Sequence, residues 1–180
     1  MAKTRWLDED EQRTWRTFMV ATQLLFDQLH RELERGTSVP GQYYEVLVRL
    51  SEAPGRRLRM SELADRSQSS RSRLSHTIAR LEEEGWVCRE RCPSDRRGSF
   101  AVLTDAGFGA LEAAAPVHVD GVRTHLFDQL SAAQLDELRT ISEQILNHLV
   151  ALNGSSPEDL GLLGILGECG VPVIPTVKTS

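Results

Sequence analysis

The sequence predicts a mainly α-helical fold. A helix–turn–helix is followed directly by a two-stranded β hairpin, and long helices lie before and after the pair. Three observations predict it. Apolar residues recur at alternating steps of three and four near both ends of the chain, the period of an amphipathic helix. Two serine-capped helical patterns flank a short polar break within 61–84. Two strand-like runs, 86–92 and 99–103, flank a turn-rich tip.

Residues 8–35 form the first long helix. Trp15, Phe18, Thr22, Leu25, Leu29 and Leu33 make one stripe, Leu24 and Phe26 widen it, and Gly36 is a stop signal. Ser38-Val39-Pro40 opens a second helix, with Tyr43 or Tyr44, Leu47 and Leu50 on its inner side. Pro54-Gly55 closes that helix with a turn. Ser61 is read as the N-cap of a short helix carrying Leu63 and Ala64. After Ser67-Gln68-Ser69-Ser70, Ser70 caps a further helix that turns Leu74, Ile78 and Leu81 inward. Gly85 sits where a left-handed C-terminal cap belongs.

Between the two expected strands lies Pro93-Ser94-Asp95-Arg96-Arg97-Gly98, a composition that favours turns. Thr104 caps a helix expected to reach about residue 129, with Leu111, Val122, Leu126 and Leu130 apolar and Pro116 kinking or interrupting it. Ser131 and Gln134 form a capping box. It opens a last helix through Leu135, Leu138, Ser142, Ile145, Leu149 and Leu152. In 154–180, four glycines recur every third residue among prolines, too few for a collagen helix. That tail is expected to be weakly ordered, with one short apolar helix near Leu160–Leu166.

The chain has 180 residues and a formal net charge of −5, which taken whole disfavours nucleic acid as a partner. The distribution reverses that. Residues 54–100 hold 11 arginines against 7 acids, a net +4, so the remainder carries −9. A helix–turn–helix with an arginine-tipped hairpin is the winged-helix arrangement. Its second helix enters the major groove with its N-terminal residues on base edges. Its hairpin reaches the neighbouring backbone or minor groove, where negative potential favours arginine.

The strings LADRSQSSRSRLSHTIARLEEEGWV (63–87) and PSDRRGSFAVLTDAG (93–107) resemble the multiple-antibiotic-resistance regulator (MarR) family. The first is similar to that family's helix–turn–recognition helix. The second is similar to its wing, with an Asp-Arg-Arg tip and a closing Leu-Thr-x-x-Gly. The resemblance covers about 8–152. It implies four segments: an N-terminal dimerisation helix (1–37), a winged helix–turn–helix domain (38–104), C-terminal dimerisation helices (105–153), and a tail (154–180).

The resemblance implies that Ser69, Ser70, Arg71, Ser72, Arg73, Ser75 and His76 face DNA from the recognition helix. Arg96 and Arg97 do so from the wing tip, and Asp95 supports the wing. Arginine pairs bidentately with guanine, and serine bonds bases or phosphates. One serine is accounted for by capping, and Arg80 and Arg89 are expected to pair with Glu82–Glu84 or Glu90. The family acts as homodimers, which implies a pseudo-palindromic operator on double-stranded DNA. Repression is the family's habit, relieved by a small aromatic or anionic effector in a cleft between dimer helices and winged domain. Trp15, Arg16, Phe18, Tyr43 and Tyr44 are the candidates for that cleft, with core or dimer packing as the ordinary alternative for each.

Other classes fit less well. No nucleophile–base pair, phosphate loop or metal-ligand spacing points to an enzyme, and Gly107-Phe108-Gly109 lacks the third glycine of a dinucleotide fingerprint. No cofactor or metal is called for. His118 and His125, seven residues apart, read as surface or interface residues. The first dozen residues are acidic and lack the apolar run of a signal peptide. No apolar stretch nears the roughly 18 residues of a membrane span, so the expected location is the cytoplasm. Two alternatives stay open. One is a winged helix used for protein contact. The other is a thiol-based redox regulator using Cys88 or Cys92, although positions four apart in a strand lie roughly 13 Å from each other, too far for a disulfide.

Overall fold

Asp8 starts the first helix with a full capping box. Its side chain accepts from the Glu11 amide at 2.8 Å, and the Glu11 carboxylate accepts from the Asp8 amide at 2.9 Å. The structure is a computed structural model that describes residues 3–67, 69–92 and 95–153, the side chains of residues 95–97 and 153 excepted. Helix α1 (Glu9–Gly36) is followed by α2 (Gly41–Glu52), a 3₁₀ turn over Pro54–Arg56, and strand β1 (Arg57–Arg59). Then come α3 (Met60–Arg66), α4 (Arg71–Glu83), β2 (Val87–Cys92), β3 (Asp95–Leu103), α5 (Asp105–His125), a 3₁₀ turn over Phe127–Gln129, and α6 (Ala132–Asn153). The expected short helix near Leu160–Leu166 lies outside the described residues.

Helix α4 begins and ends as the sequence predicts. The Ser70 side chain accepts from the Arg73 amide at 3.2 Å. At the other end Gly85 has φ +72, the left-handed conformation that glycine adopts without steric cost. The Trp86 amide then reaches the Leu81 carbonyl at 2.9 Å and the Gly85 amide the Glu82 carbonyl at 3.0 Å, the two bonds of a Schellman cap.

The core lies where the winged domain's helices meet the sheet. Leu47 and Leu50 from α2, Leu63 from α3, and Leu74, Ile78 and Leu81 from α4 are buried with Leu58, Val87, Ala101 and Leu103. Of the two tyrosines, Tyr44 takes the inner position. Leu33 of α1 and Leu111 and Ala114 of α5 join the same cluster, so the scaffold helices share the winged domain's core.

Four expectations change. The sheet has three strands, in the order β1-β3-β2 and antiparallel throughout, where the sequence indicated two. Strand β1 is only three residues long, so Leu58, buried between two arginines, shows no readable alternation. Ser61 does not cap α3. Because β1 runs directly into that helix, extended Arg59 takes the N-cap position, and its side chain does not cap the helix. Strand β3 starts at Asp95 rather than 99, with a register irregularity at Arg91 and Cys92 that shortens the connection. Helix α5 passes through Pro116 without interruption and ends at His125 rather than near 129. The Glu112 carbonyl that Pro116 cannot serve lies, like Pro116, on the exposed side, where water can take it. The Ser131–Gln134 box at the start of α6 is present, with the Ser131 amide 2.9 Å from the Gln134 carbonyl oxygen Oε1.

Two helices carry apolar residues that no described residue covers. Trp15, Phe18, Met19, Val20, Leu24 and Phe26 are exposed on the first two-thirds of α1. Ile141, Ile145, Leu149 and Leu152 are exposed on α6.

Candidate nucleic-acid interface

Helix α4 is amphipathic, and its period decides what it presents. Burying Leu74, Ile78 and Leu81 turns Arg71, Ser72, Arg73, Ser75 and His76 to the surface, where all five are exposed. Ser70 is exposed as well and Ser69 half-buried. Ser70 is spent on the cap, so its hydroxyl is already an acceptor for the Arg73 amide.

The arginines fall into two groups. Arg80 pairs with Glu83 at 2.7 Å, one turn along the same helix. That hydrogen bond, with the Glu83 charge behind it, holds the Arg80 guanidinium above its ordinary pKa. Arg89 pairs with Glu82 at 3.3 Å. Both neutralisations match the sequence reading. Arg71 and Arg73 form no ion pair with any described residue, so two positive charges remain at the start of α4. A helix N-terminus adds partial positive charge of its own, and the sum favours an anion there.

Two hollows flank this helix. One, of about 340 Å³, lies between the start of α3, α4 and the sheet, with Ser61, Arg71, Ser75, Arg89 and Ser99 on its walls. The other, of about 480 Å³, lies between α2 and α4 and includes Tyr43, Arg73, His76 and Arg80. Both hollows are open to solvent and carry arginines on their walls.

The wing is held to α4 by its base. The Thr104 hydroxyl lies 2.7 Å from the Gly85 carbonyl and 3.1 Å from that of Trp86, and it accepts from the Gly107 amide at 3.0 Å. The Thr104 amide donates to the Trp86 carbonyl at 3.0 Å. A side chain on Gly107 would collide with that same carbonyl. The Leu-Thr-x-x-Gly string is thus a joint between the recognition helix's C-cap, the end of the wing and the start of α5. Further out, the guanidiniums of Arg57 and Arg59 lie over the Phe100 ring, at 4.1 and 5.4 Å from its centre. Neither sequence reading nor periodicity indicated this stack, because it depends on β1. The backbone of Asp95, Arg96 and Arg97 is the start of β3, and their side chains lie outside the described residues.

The five cleft candidates do not converge in one chain. Tyr44 is buried, only 4% exposed, and stacks on His118 with ring centres 4.5 Å apart. Burial pushes its hydroxyl up to about 12. Tyr43 lines the hollow beside α4. Trp15, Arg16 and Phe18 lie exposed on α1, whose buried end is at Leu29 and Leu33. Fifteen helical residues separate Trp15 from His30, which packs beside Gly41 at the start of α2, a span of roughly 22 Å. The two histidines of α5, read from sequence as surface or interface residues, are half-buried within the chain. His118 is held below its ordinary pKa by burial, and His125 lies 2.6 Å from Glu32 of α1. Among the described residues no cluster of three or more His, Cys, Asp or Glu side chains is placed to hold a metal ion. Cys88 is exposed and Cys92 buried. In register they face Val102 and Asp95, at opposite ends of β2.

A helix–turn–helix with unpaired arginines at the start of its second helix, joined to a hairpin, defines a winged-helix protein of the regulator class. The family model described as MarR family matches residues 42–99. The chain is similar to Sco3205, a MarR family transcriptional regulator of Streptomyces coelicolor crystallised in complex with DNA. The two are 50% identical with a TM-score of 0.76, over 82% of this chain and 92% of that one. It is similar to AbsC of the same organism at 45% identity and a TM-score of 0.74, over 82% of this chain and 99% of that one. It is also 29% identical over 104 residues to the transcriptional regulator HosA of Escherichia coli O111:H-, covering 58% of this chain and 75% of that protein. The chain belongs to the MarR family of transcriptional regulators, and it is not an enzyme. No helix among the described residues is long and apolar enough to cross a membrane.

Proposed function

We propose that the protein is a cytoplasmic homodimer that binds a pseudo-palindromic operator in double-stranded DNA and represses transcription until a small aromatic or anionic ligand releases it. The observation that carries the DNA reading is the contrast between the two ends of α4, strand β2 included. Arg80 near the C-terminal end of α4 and Arg89 on β2 are neutralised by Glu83 and Glu82, whereas Arg71 and Arg73 at the N-terminal end of α4 are exposed and form no ion pair among the described residues. Base-edge contacts come from that end of a recognition helix. Ser69, Ser72, Ser75 and His76 share the surface, and Arg96 and Arg97 extend it at the wing tip with Asp95 in support. That Sco3205 was crystallised with DNA agrees with this reading.

The dimer reading rests on the two exposed apolar faces. A monomer seldom leaves so much contiguous apolar surface in water. The segment boundaries proposed are 1–37 and 105–153 for dimerisation, 38–104 for DNA and 154–180 for a tail. Release by a ligand requires that the ligand prefer the conformation unable to bind DNA. Since Trp15, Arg16 and Phe18 lie far from Tyr43 and Tyr44 in one chain, a cleft that includes both groups takes one of them from the second copy. Operator selection from random DNA, followed by a screen of aromatic acids against the recovered site, tests the whole reading. Failure to enrich any sequence contradicts it.

A further inference from the structure

We infer that Arg89 is a positioning residue: it braces the first wing strand against the recognition helix through Glu82 and Ser75, and so fixes the angle at which helix and wing approach DNA. The inference rests on the DNA-binding reading above. Arg89 pairs in register with buried Ala101, so it sits on the face of the sheet turned toward α4. Its guanidinium donates to the Ser75 carbonyl at 2.9 Å and reaches the Ser75 hydroxyl at 3.5 Å. Another nitrogen of the same group lies 3.3 Å from Glu82 Oε2. The other oxygen of that carboxylate accepts the Arg89 backbone amide at 3.1 Å.

One side chain therefore ties β2 to two points on α4 that are two helical turns apart, roughly 10 Å along the axis. The ion pair is about two-thirds buried, at 34% and 30% side-chain exposure, so water screens it less than the pairs on open helix faces. The planar fork of arginine suits this geometry and a lysine ammonium does not. With its charge matched by Glu82 and its two terminal nitrogens turned to Ser75 and Glu82, Arg89 has little left for a phosphate. Its effect on DNA is indirect. Helix and wing are two binding elements on one protomer, and their joint affinity depends on whether both engage at once.

Full-length protein carrying Arg89→Lys or Glu82→Gln tests this in two measurements. Without DNA, amide hydrogen exchange across Val87–Cys92 is expected to speed up in both variants while the rest of the core stays protected. With the selected operator, both variants are expected to lose affinity by roughly tenfold or more, with the slope of log affinity against log salt unchanged. A direct phosphate role for Arg89 gives the opposite pattern: Arg89→Lys retains affinity, Glu82→Gln frees the arginine and binds as tightly or more tightly, and removing the arginine lowers the salt slope by about one. That pattern overturns the proposal, as does faster exchange with unchanged operator binding. If the wild-type chain selects no DNA sequence, the function reading fails separately. The exchange data then decide the brace alone, and unchanged exchange in both variants overturns it.

Discussion

The hydroxyl of Thr104, at the start of α5, lies 2.7 Å from the carbonyl of Gly85, at the end of α4. That contact joins the recognition helix to the scaffold helix across the base of the wing. The joint also needs two glycines, for different reasons. Gly85 supplies a positive φ, whereas Gly107 leaves room for the Trp86 carbonyl.

Substituting these positions separates the two reasons. Gly85→Ala is expected to cost about 1–2 kcal/mol, the penalty of a left-handed non-glycine residue. Gly107→Ala is expected to cost more, because the obstacle is backbone and cannot swing aside, in the upper part of the roughly 1–3 kcal/mol range of overpacking. Urea denaturation of the two variants measures both. Equal stability of Gly107→Ala and wild type contradicts the joint.

A second contact joins the scaffold helices to each other. Glu32 of α1 lies 2.6 Å from Nε2 of His125, which carries the proton because a carboxylate only accepts. The bond from His125, and then that from Gln28, hold Glu32 below its ordinary value of 4.5 although burial pushes it up. A carboxylate lowered in the folded state stabilises that state above the ordinary value, and the contribution is lost as pH falls through the folded value. Wild type is therefore expected to melt above Glu32→Gln at pH 6, with the gap closing below about pH 4.5. A gap that widens with acidity contradicts the pair.

The exposed apolar faces give a prediction about assembly. Phe18→Glu on α1, or Ile145→Glu on α6, places a charge on a face expected to be covered by a second copy. Sedimentation is expected to show a dimer for wild type and mainly monomer for each variant, with operator affinity lost in parallel. A wild-type monomer that binds its operator tightly contradicts the dimer.

Much of this fold was legible because its helices carry their own punctuation. Ser70, Gly85, Thr104 and the Ser131–Gln134 box each mark an end, and each does so in the structure. What escaped is what depends on distant partners. Strand β1 has one buried residue and is a strand only because β3 lies beside it. The burial of His118 against Tyr44, and the pairing of His125 with Glu32, follow from how α5 packs on α2 and α1. In the candidate interface, the neutralisation of Arg80 and Arg89 was readable from nearby acids. The link from Arg89 to Ser75 was not, since it spans fourteen residues and requires the sheet to face the helix.

At the interface itself, charge and base recognition separate by position. Arg71→Ala at the start of α4 is expected to change base preference, by about 1–3 kcal/mol at one position. Arg96→Ala at the wing tip is expected to weaken binding with less dependence on the half-site read by the helix. Operator selection repeated with each variant compares the two. Identical recovered sequences for wild type and Arg71→Ala contradict a base-reading role for Arg71.

The central claim is that arginines at the start of α4 and on the wing carry DNA binding, and the most direct measurement of it is a salt titration of operator affinity. Wild type is compared with the Arg71→Ala, Arg96→Ala double variant. The wild-type affinity is expected to fall steeply with salt. The double variant is expected to bind far more weakly, with a slope shallower by up to about two if both arginines displace counterions. Equal affinity and equal slope for the two proteins contradict the account.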